Sequence, residues 1–360
     1  MNSKKGIIIS GAVIGLLGSL LVLLGNPLNM GVCVACFIRD IAGSLGMHRA
    51  AVVQNIRLEI VGFILGAFII SKLSGEFKVR GGSSPIIRFF IAIFVMVGAL
   101  VFLGCPLRMV LRLAGGDLNA ILGIVGFAVG VVAGSILLKK GFTLGRSYNI
   151  NKTNGYILPV LAFVFILLRV FKPEFIFMSE KGPGAQYVFW GIALAAGLII
   201  GVLAQKSRIC MAGGIRDLYL IKDNHLITGF ISIFVFAFIV NILAGNFDPG
   251  FVNQPVAHTD GLWNGLGMFV VGLGSVMLGG CPLRQTILAG QGNTDSAVTF
   301  MGYLTGGAVV HNFQTAASPA GVPLNGKIGV IAAVVFLLGT AYYVINAEKG
   351  EQNVSQRKSA

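Results

Sequence analysis

Long apolar stretches alternate with short polar ones along almost the whole chain. Ten of them have spanning length: 6–25, 57–73, 86–104, 119–138, 155–171, 186–204, 226–245, 261–280, 296–312 and 327–346. An α-helix needs about 20 apolar residues to cross a hydrocarbon core roughly 30 Å thick. The period-two alternation of a membrane β-barrel is absent, so the stretches read as helices. The first follows Lys4 and Lys5 as a signal peptide would. It is too long for a signal peptide's apolar region and lacks a small-x-small cleavage site before Asn26, so it reads as a helix that stays. The expected fold class is an all-α polytopic membrane protein of about ten transmembrane helices.

Composition agrees. Hydrophobic residues make up 55% of the 360 residues, charged residues 11%, and mean hydropathy is +0.86. A soluble domain carries about 25% charged residues, and so few charges could not coat a water-soluble particle. The net charge of +14 does not point to nucleic acid, because no basic domain stands clear of the apolar stretches. It follows the positive-inside rule instead. With ten crossings both termini share one side, and that side collects 18 of the 27 Lys and Arg residues against 9 on the other. The termini are therefore expected in the cytoplasm of a cell inner membrane.

The chain also repeats itself. Cys33-Val-Ala-Cys-Phe-Ile-Arg-Asp40 matches Cys210-Met-Ala-Gly-Gly-Ile-Arg-Asp217, with five of eight positions identical at an offset of 177. Gly104-Cys-Pro-Leu-Arg108 recurs unchanged as Gly280-Cys-Pro-Leu-Arg284 at an offset of 176. Gly98, Gly116, Gly126 and Gly130 have partners in Gly274, Gly292, Gly302 and Gly306 at that same offset. Because five crossings separate the two copies, they face opposite sides of the membrane, an inverted repeat. The organisation expected is a first repeat over 1–140, a linker with one helix over 141–185, a second repeat over 186–325, and a final helix with a polar tail over 326–360. Cys33 and Cys105 then lie on the outer side, Cys210 and Cys281 on the inner.

The motif segments are short and only partly apolar. Segment 31–46 is rich in Gly and Ala, and 105–116 opens on Cys-Pro, with Pro favoured in a first helical turn. They read as half-helices that dip into the membrane and return, which is tolerated where backbone is buried in protein or lines a cavity. All five cysteines fall inside these motifs, each motif with its arginine: Cys33 with Arg39, Cys105 with Arg108, Cys210 with Arg216, and Cys281 with Arg284. An arginine at membrane depth costs on the order of 3 kcal/mol, so it normally faces a polar path or a partner. Arg39 and Arg216 have adjacent acids, Asp40 and Asp217, with which to pair. Arg108 and Arg284 have none, which favours an electropositive anion path there. A soft thiol beside a positive group suits an anion that itself carries sulfur or selenium.

Three alternatives compete with that path. Free cysteines are commonly small buried hydrophobes. Cys33-Val-Ala-Cys36 is a C-x-x-C, as in a thiol–disulfide redox relay, although its repeat has Gly213 in place of Cys36. A scaffold that hands sulfur or selenium to a soluble carrier is the third. His48, His225, His258 and His311 lie scattered along the chain and away from the cysteine motifs, and no carboxylates cluster at ligand spacing, so no metal is expected. No cofactor or catalytic residue is expected either, and the chain has no P-loop with which to hydrolyse ATP.

These motifs resemble the YeeE/YedE family of membrane proteins, linked to thiosulfate uptake and, in the YedE branch, to selenium metabolism. The residues that carry the resemblance are Cys33–Asp40, Gly104–Arg108, Cys210–Asp217 and Gly280–Arg284, and the likeness covers nearly the whole chain, from about residue 6 to 345. The resemblance implies an hourglass-shaped inner-membrane transporter in which the substrate passes between cysteine thiols along a central path. Cys105 and Cys281 match the family's G-C-x-x-R positions, with Cys33 and Cys210 on the outer and inner approaches. The expected partners are a small sulfur- or selenium-containing anion, membrane lipid, and a cytoplasmic sulfur or selenium carrier protein.

Overall fold

A computed structural model describes residues 3–359, with side chains up to Ala347; the side chains of the polar tail lie outside the described residues. In chain order the helices are α1 (Lys4–Leu23), α2 (Val34–Ser44), α3 (Leu58–Leu73), α4 (Pro85–Val101), α5 (Pro106–Ala114), α6 (Asn119–Lys139), α7 (Ile157–Phe171), α8 (Trp190–Ser207), α9 (Met211–Ile221), α10 (His225–Leu243), α11 (Gly261–Leu278), α12 (Pro282–Gly290), α13 (Thr294–Asn312) and α14 (Leu324–Ser359). Each of the ten apolar stretches is one helix. Eight segments are long and apolar enough to cross a membrane. The two spans missing from that set are α3, only 16 residues long, and α13, whose Thr, Ser and Gly content lowers its hydropathy.

The four motif segments form the short helices. α2 and α9 have 11 residues each and α5 and α12 have 9. At 1.5 Å per residue, 11 residues reach only about 17 Å, roughly half a bilayer core. Cys33, Cys105, Cys210 and Cys281 are the N-cap residues of these four helices. Before Cys105 and Cys281 the chain turns through the same left-handed position, occupied by Leu103 (φ 60°) in one copy and Gly279 (φ 83°) in the other. A β-carbon in that region costs about 1–2 kcal/mol, so the first copy holds its turn against a strain that the second avoids.

The packing repeats as the sequence does. α1 lies on α10 and α3 on α8; α6 lies on α11 and α4 on α13; α2 touches α13 and α9 touches α6; α5 meets α10 and α12 meets α3. Each pair exchanges a helix for its counterpart in the other copy, so the two copies interlock about a pseudo-two-fold axis. The duplicated glycines show why the spacing is kept. A β-carbon on Gly130 would strike the Phe269 carbonyl of α11, and one on Gly306 would press on Ile93 of α4, the residue 176 positions before Phe269. Glycine at such crossings lets backbones approach closely, the usual device of membrane helix packing. α7 packs on α3, and α14 on α4 and α11, outside the repeat. Two short strands, β1 (Arg80–Gly81) and β2 (Tyr148–Asn149), pair antiparallel and tie the α3–α4 loop to the α6–α7 loop, a feature that apolar periodicity does not reveal.

Candidate functional site

The half-helix N-termini bring the cysteines together across motifs, not within them. Cys33 Sγ lies 3.9 Å from Cys105 Sγ, and Cys210 Sγ lies 3.7 Å from Cys281 Sγ. All five thiols are free and buried. The cap geometry explains their placement. Cys33 Sγ accepts from the Cys36 backbone N–H at 3.3 Å, and Cys210 Sγ accepts from the Gly213 N–H at 3.3 Å. These are N-terminal amides with no helical carbonyl to bond, so each sulfur sits in the positive end of a helix dipole. In the second copy the Cys281 N–H also donates to Cys210 Sγ, at 3.4 Å. Cys36 belongs to the same group, one helical turn from Cys33, and its sulfur lies 3.6 Å from Arg108 Nη1.

The arginines part company with the simple expectation. Arg39 bonds Asp40 at 2.7 Å, and Asp40 also takes Arg57 Nε at 2.8 Å. Arg57 in turn donates to the Gln186 and Pro183 carbonyls at 2.8 and 2.7 Å. Arg108 has no acid neighbour, as its sequence context indicates, yet it is not free for an anion. Its Nε donates to the Asn29 carbonyl at 2.9 Å, Nη2 to the Val256 carbonyl at 3.0 Å, and Nη1 to the Leu103 carbonyl. Three backbone segments converge on it, so in this structure it ties the outer motif shut. A second buried pair, Arg112 with Asp117 at 2.6 Å, completes the outer cluster. Arg57, Arg112 and Asp117 escaped the sequence reading, because none belongs to a duplicated motif. Their signal was there all the same, as charges embedded in apolar surroundings.

The inner motif is looser. Arg216 and Asp217 pair at 2.8 Å but are 32% and 20% exposed, against 3% and 0% for Arg39 and Asp40. Arg284 lies within electrostatic reach of Cys210 and Cys281, and its buried Nη1 has no hydrogen-bond partner. In the same copy Gln285 Oε1, Ser275 Oγ and Tyr303 Oη are also buried without partners. Tyr303 is fully buried on α13. Its counterpart 176 residues earlier is Phe127. The second copy thus carries a buried hydroxyl where the first has none. At the edge of the inner motif, burial pushes the Glu76 carboxyl up, but bonds from Gln205 and Lys206 outweigh it and hold it below the usual range.

The histidines correct a further expectation. His48 and His311 are not scattered: their rings stack at 4.6 Å, and His48 Nε2 meets the Arg39 carbonyl at 3.0 Å, beside the outer half-helix. Among the described residues no group of three or more His, Cys, Asp and Glu side chains is arranged to hold a metal.

Comparison with known proteins points the same way as the geometry. A family model described as sulphur transport matches residues 206–358, which hold the inner motif and α10 to α14. The chain is 28% identical over 125 residues to the thiosulfate transporter TsuA of Escherichia coli (strain K12), covering 33% of this chain and 33% of that protein. It is 32% identical over 101 residues to the thiosulfate transporter TsuA of Spirochaeta thermophila, covering 28% of this chain and 30% of that protein. These matches thus span about a third of the length of either relative. The similarity to sulphur-transport proteins thus lies in the second half of the chain, which carries one copy of the duplicated cysteine motifs.

Proposed function

We propose that this multi-pass membrane protein carries a small sulfur-containing anion of the thiosulfate class through the inner membrane, with its two copies inverted across the bilayer. The observation that carries the reading is the pair of thiol couples, each seated on half-helix N-termini. Backbone N–H groups and helix dipoles attract the anion. A neutral S–H donates a weak hydrogen bond to a terminal sulfur or selenium, whereas a thiolate would repel it. On this reading the anion passes from Cys33 and Cys105, past the Tyr303 hydroxyl, to Cys210 and Cys281, with Arg284 as the unpaired positive group and Arg39, Arg108 and Arg216 framing the approaches. Thiosulfate is the first substrate to test because both relatives carry that name; a selenium oxyanion is the second. A cytoplasmic sulfur or selenium carrier would take the product.

The test is uptake of radiolabelled thiosulfate, selenite and sulfate into vesicles containing the purified chain. Thiosulfate uptake above that of protein-free vesicles, abolished by Cys281→Ala in a protein that still inserts, is the expected result. Uptake of neither thiosulfate nor selenite would sink the proposal. Orientation has its own check: reporters fused after Lys140 and at Ala360 should read cytoplasm, and one near Asp248 the outside.

The short sulfur–sulfur distances also favour a second reading, a thiol–disulfide relay, now through Cys33–Cys105 and Cys210–Cys281 instead of Cys33–Cys36. The two readings separate by alkylation during turnover. A transporter keeps its thiols reduced, and a relay cycles a disulfide between one of those pairs.

A further inference from the structure

The loops at the end of the bundle where α3 finishes and α4 begins hold a feature that anion passage does not use. β1 and β2 close the α3–α4 loop against the α6–α7 loop, and the two enclose a cavity of about 560 Å³. Lys72, Phe77, Lys78, Arg80, Asn149 and Lys152 line it, with no carboxylate on its walls. The nearest acid in sequence, Glu76, is committed elsewhere, to Gln205 and to Lys206 at 3.0 and 3.3 Å. Among the described residues none of the four cations forms an ion pair.

Excess positive charge in cytoplasmic loops is ordinary in a membrane protein, and scattered lysines would need no other explanation. Here the charges converge. Four cations, Lys72 from the end of α3 and three from the two loops, face one concavity, held there by the β1–β2 pair and an aromatic floor. Lys72 Nζ donates to the Tyr156 hydroxyl and lies 4.4 Å from the Phe77 ring centre and 4.6 Å from that of Tyr156. Like charges gathered in this way repel one another, so the arrangement gains stability only when an anion enters. The surroundings also favour an interfacial ligand. Leu73, next to Lys72, is 79% exposed, and Ile157, next to Tyr156, is 56% exposed. Apolar side chains at the ends of α3 and α7 thus flank a basic cup, the pattern of an acidic lipid site, where each Lys or Arg near the surface contributes about 1 kcal/mol.

We propose that this cup is a binding site for a phosphate-bearing anion, supplied by the headgroup of an acidic phospholipid or by a soluble polyphosphate. The site is joined to the inner motif. Gln291 Nε2 donates to the Glu76 carbonyl at 2.9 Å, Thr294 Oγ1 donates to the Arg80 carbonyl at 2.9 Å, and Arg80 bridges to Asn293. Those residues form the turn from α12, which carries Arg284, into α13, which carries Tyr303. An anion in the cup therefore steadies the inner half-helix, whatever that helix conducts.

The experiment uses the full chain, purified and delipidated in an uncharged detergent. The probes are phosphatidylglycerol, phosphatidylcholine as the uncharged control, and pyrophosphate. Two double variants of equal net charge are compared with the parent: Lys78→Gln with Lys152→Gln inside the cup, and Lys5→Gln with Lys222→Gln outside it. All four lysines are exposed, so both variants should fold, as gel filtration and circular dichroism will check. The expected result is saturable binding of phosphatidylglycerol, pyrophosphate or both, weakened at least tenfold in the cup variant only. Binding of phosphatidylglycerol that pyrophosphate does not displace identifies a lipid site, and the reverse identifies a soluble ligand. Equal binding by the two double variants, equal binding of phosphatidylcholine, or no binding of either anion overturns the proposal.

Discussion

The outer and inner cysteine motifs descend from one repeated pattern, yet they are built to different tightness. In the first motif, expected on the outer side, Arg39, Asp40, Arg57, Arg112 and Asp117 form buried ion pairs, and Arg108 holds three carbonyls. In the second motif, expected on the inner side, the corresponding pair Arg216–Asp217 is partly solvated, and Arg284 keeps an unpartnered nitrogen. The reason is in the neighbours. Arg112 has Leu288 at the equivalent place of the second copy, and Arg57, the N-cap of α3, is answered by Asn224, the N-cap of α10, so the charges that lock the first motif have no counterparts in the second. Repeated local sequence thus yields a tightly paired first motif and a more solvated second one. Fully buried charge networks hold structure and lose heavily when one member goes, whereas half-exposed pairs contribute little.

The largest test of that contrast is the matched pair of acid substitutions. Asp40→Asn strands both Arg39 and Arg57 in a buried site and should destabilise the protein by about 3–5 kcal/mol. Asp217→Asn should cost about 1 kcal/mol or less, because that pair is open to solvent. Denaturation in detergent measures both, and equal losses would break the comparison.

The two arginines of the Gly-Cys-Pro-Leu-Arg motif should divide in the same way. Arg108→Gln removes charged donors from buried carbonyls, each bond worth about 1.5–3 kcal/mol, and should lower the amount of inserted protein and its melting temperature. Arg284→Gln should leave melting near that of the parent while cutting uptake per inserted molecule at least tenfold. Lysine at 284 should restore only part of it, having lost the planar fork of donors. Normal uptake with a large fall in melting temperature for Arg284→Gln would give that residue the same tying role as Arg108.

A smaller effect is expected at Tyr303. Its hydroxyl is buried without a partner, so Tyr303→Phe should leave stability unchanged or slightly raised, by up to about 1 kcal/mol. Uptake should still fall several-fold if the hydroxyl donates to the passing anion. Unchanged uptake per molecule would remove Tyr303 from the path.

The smallest effect belongs to Glu76 at the inner edge. Its carboxyl titrates below its usual range in the folded protein, so it contributes stability above its unfolded pKa and loses it as pH falls through the lower folded value. The pair with Lys206 is 25–32% exposed, so after solvent screening the effect should be under about 1 kcal/mol. Melting curves of the parent and Glu76→Gln should converge in acid and separate slightly at neutral pH. A gap that widens in acid would contradict the depressed carboxyl.

Much of the molecule is legible without coordinates. Hydropathy located all ten long helices, because a bilayer demands some 20 consecutive apolar residues and tolerates few charges. The duplicated motifs marked the four half-helices, since a Cys-Pro start and a stretch too short to span leave little else for the chain to do. The adjacent acids of Arg39 and Arg216 announced their ion pairs. Arg108 shows where this kind of reading stops: an arginine with no acid nearby in sequence finds carbonyls from residues 29, 103 and 256 instead. The stacking of His48 on His311 and the pairing of β1 with β2 were equally out of reach, being set by contacts between distant segments.

By itself, then, the sequence determined the class of protein, the approximate positions of the spans, the duplication and the residue types of the motifs. These follow from local composition and from spacings that survive translation along the chain. Which thiol faces which, and whether a guanidinium is spent on structure or left for a ligand, was decided by the tertiary fold. Those outcomes depend on which backbone carbonyls and side chains the interlocked copies bring within about 3 Å of a given nitrogen, and a hydrogen bond extends no farther.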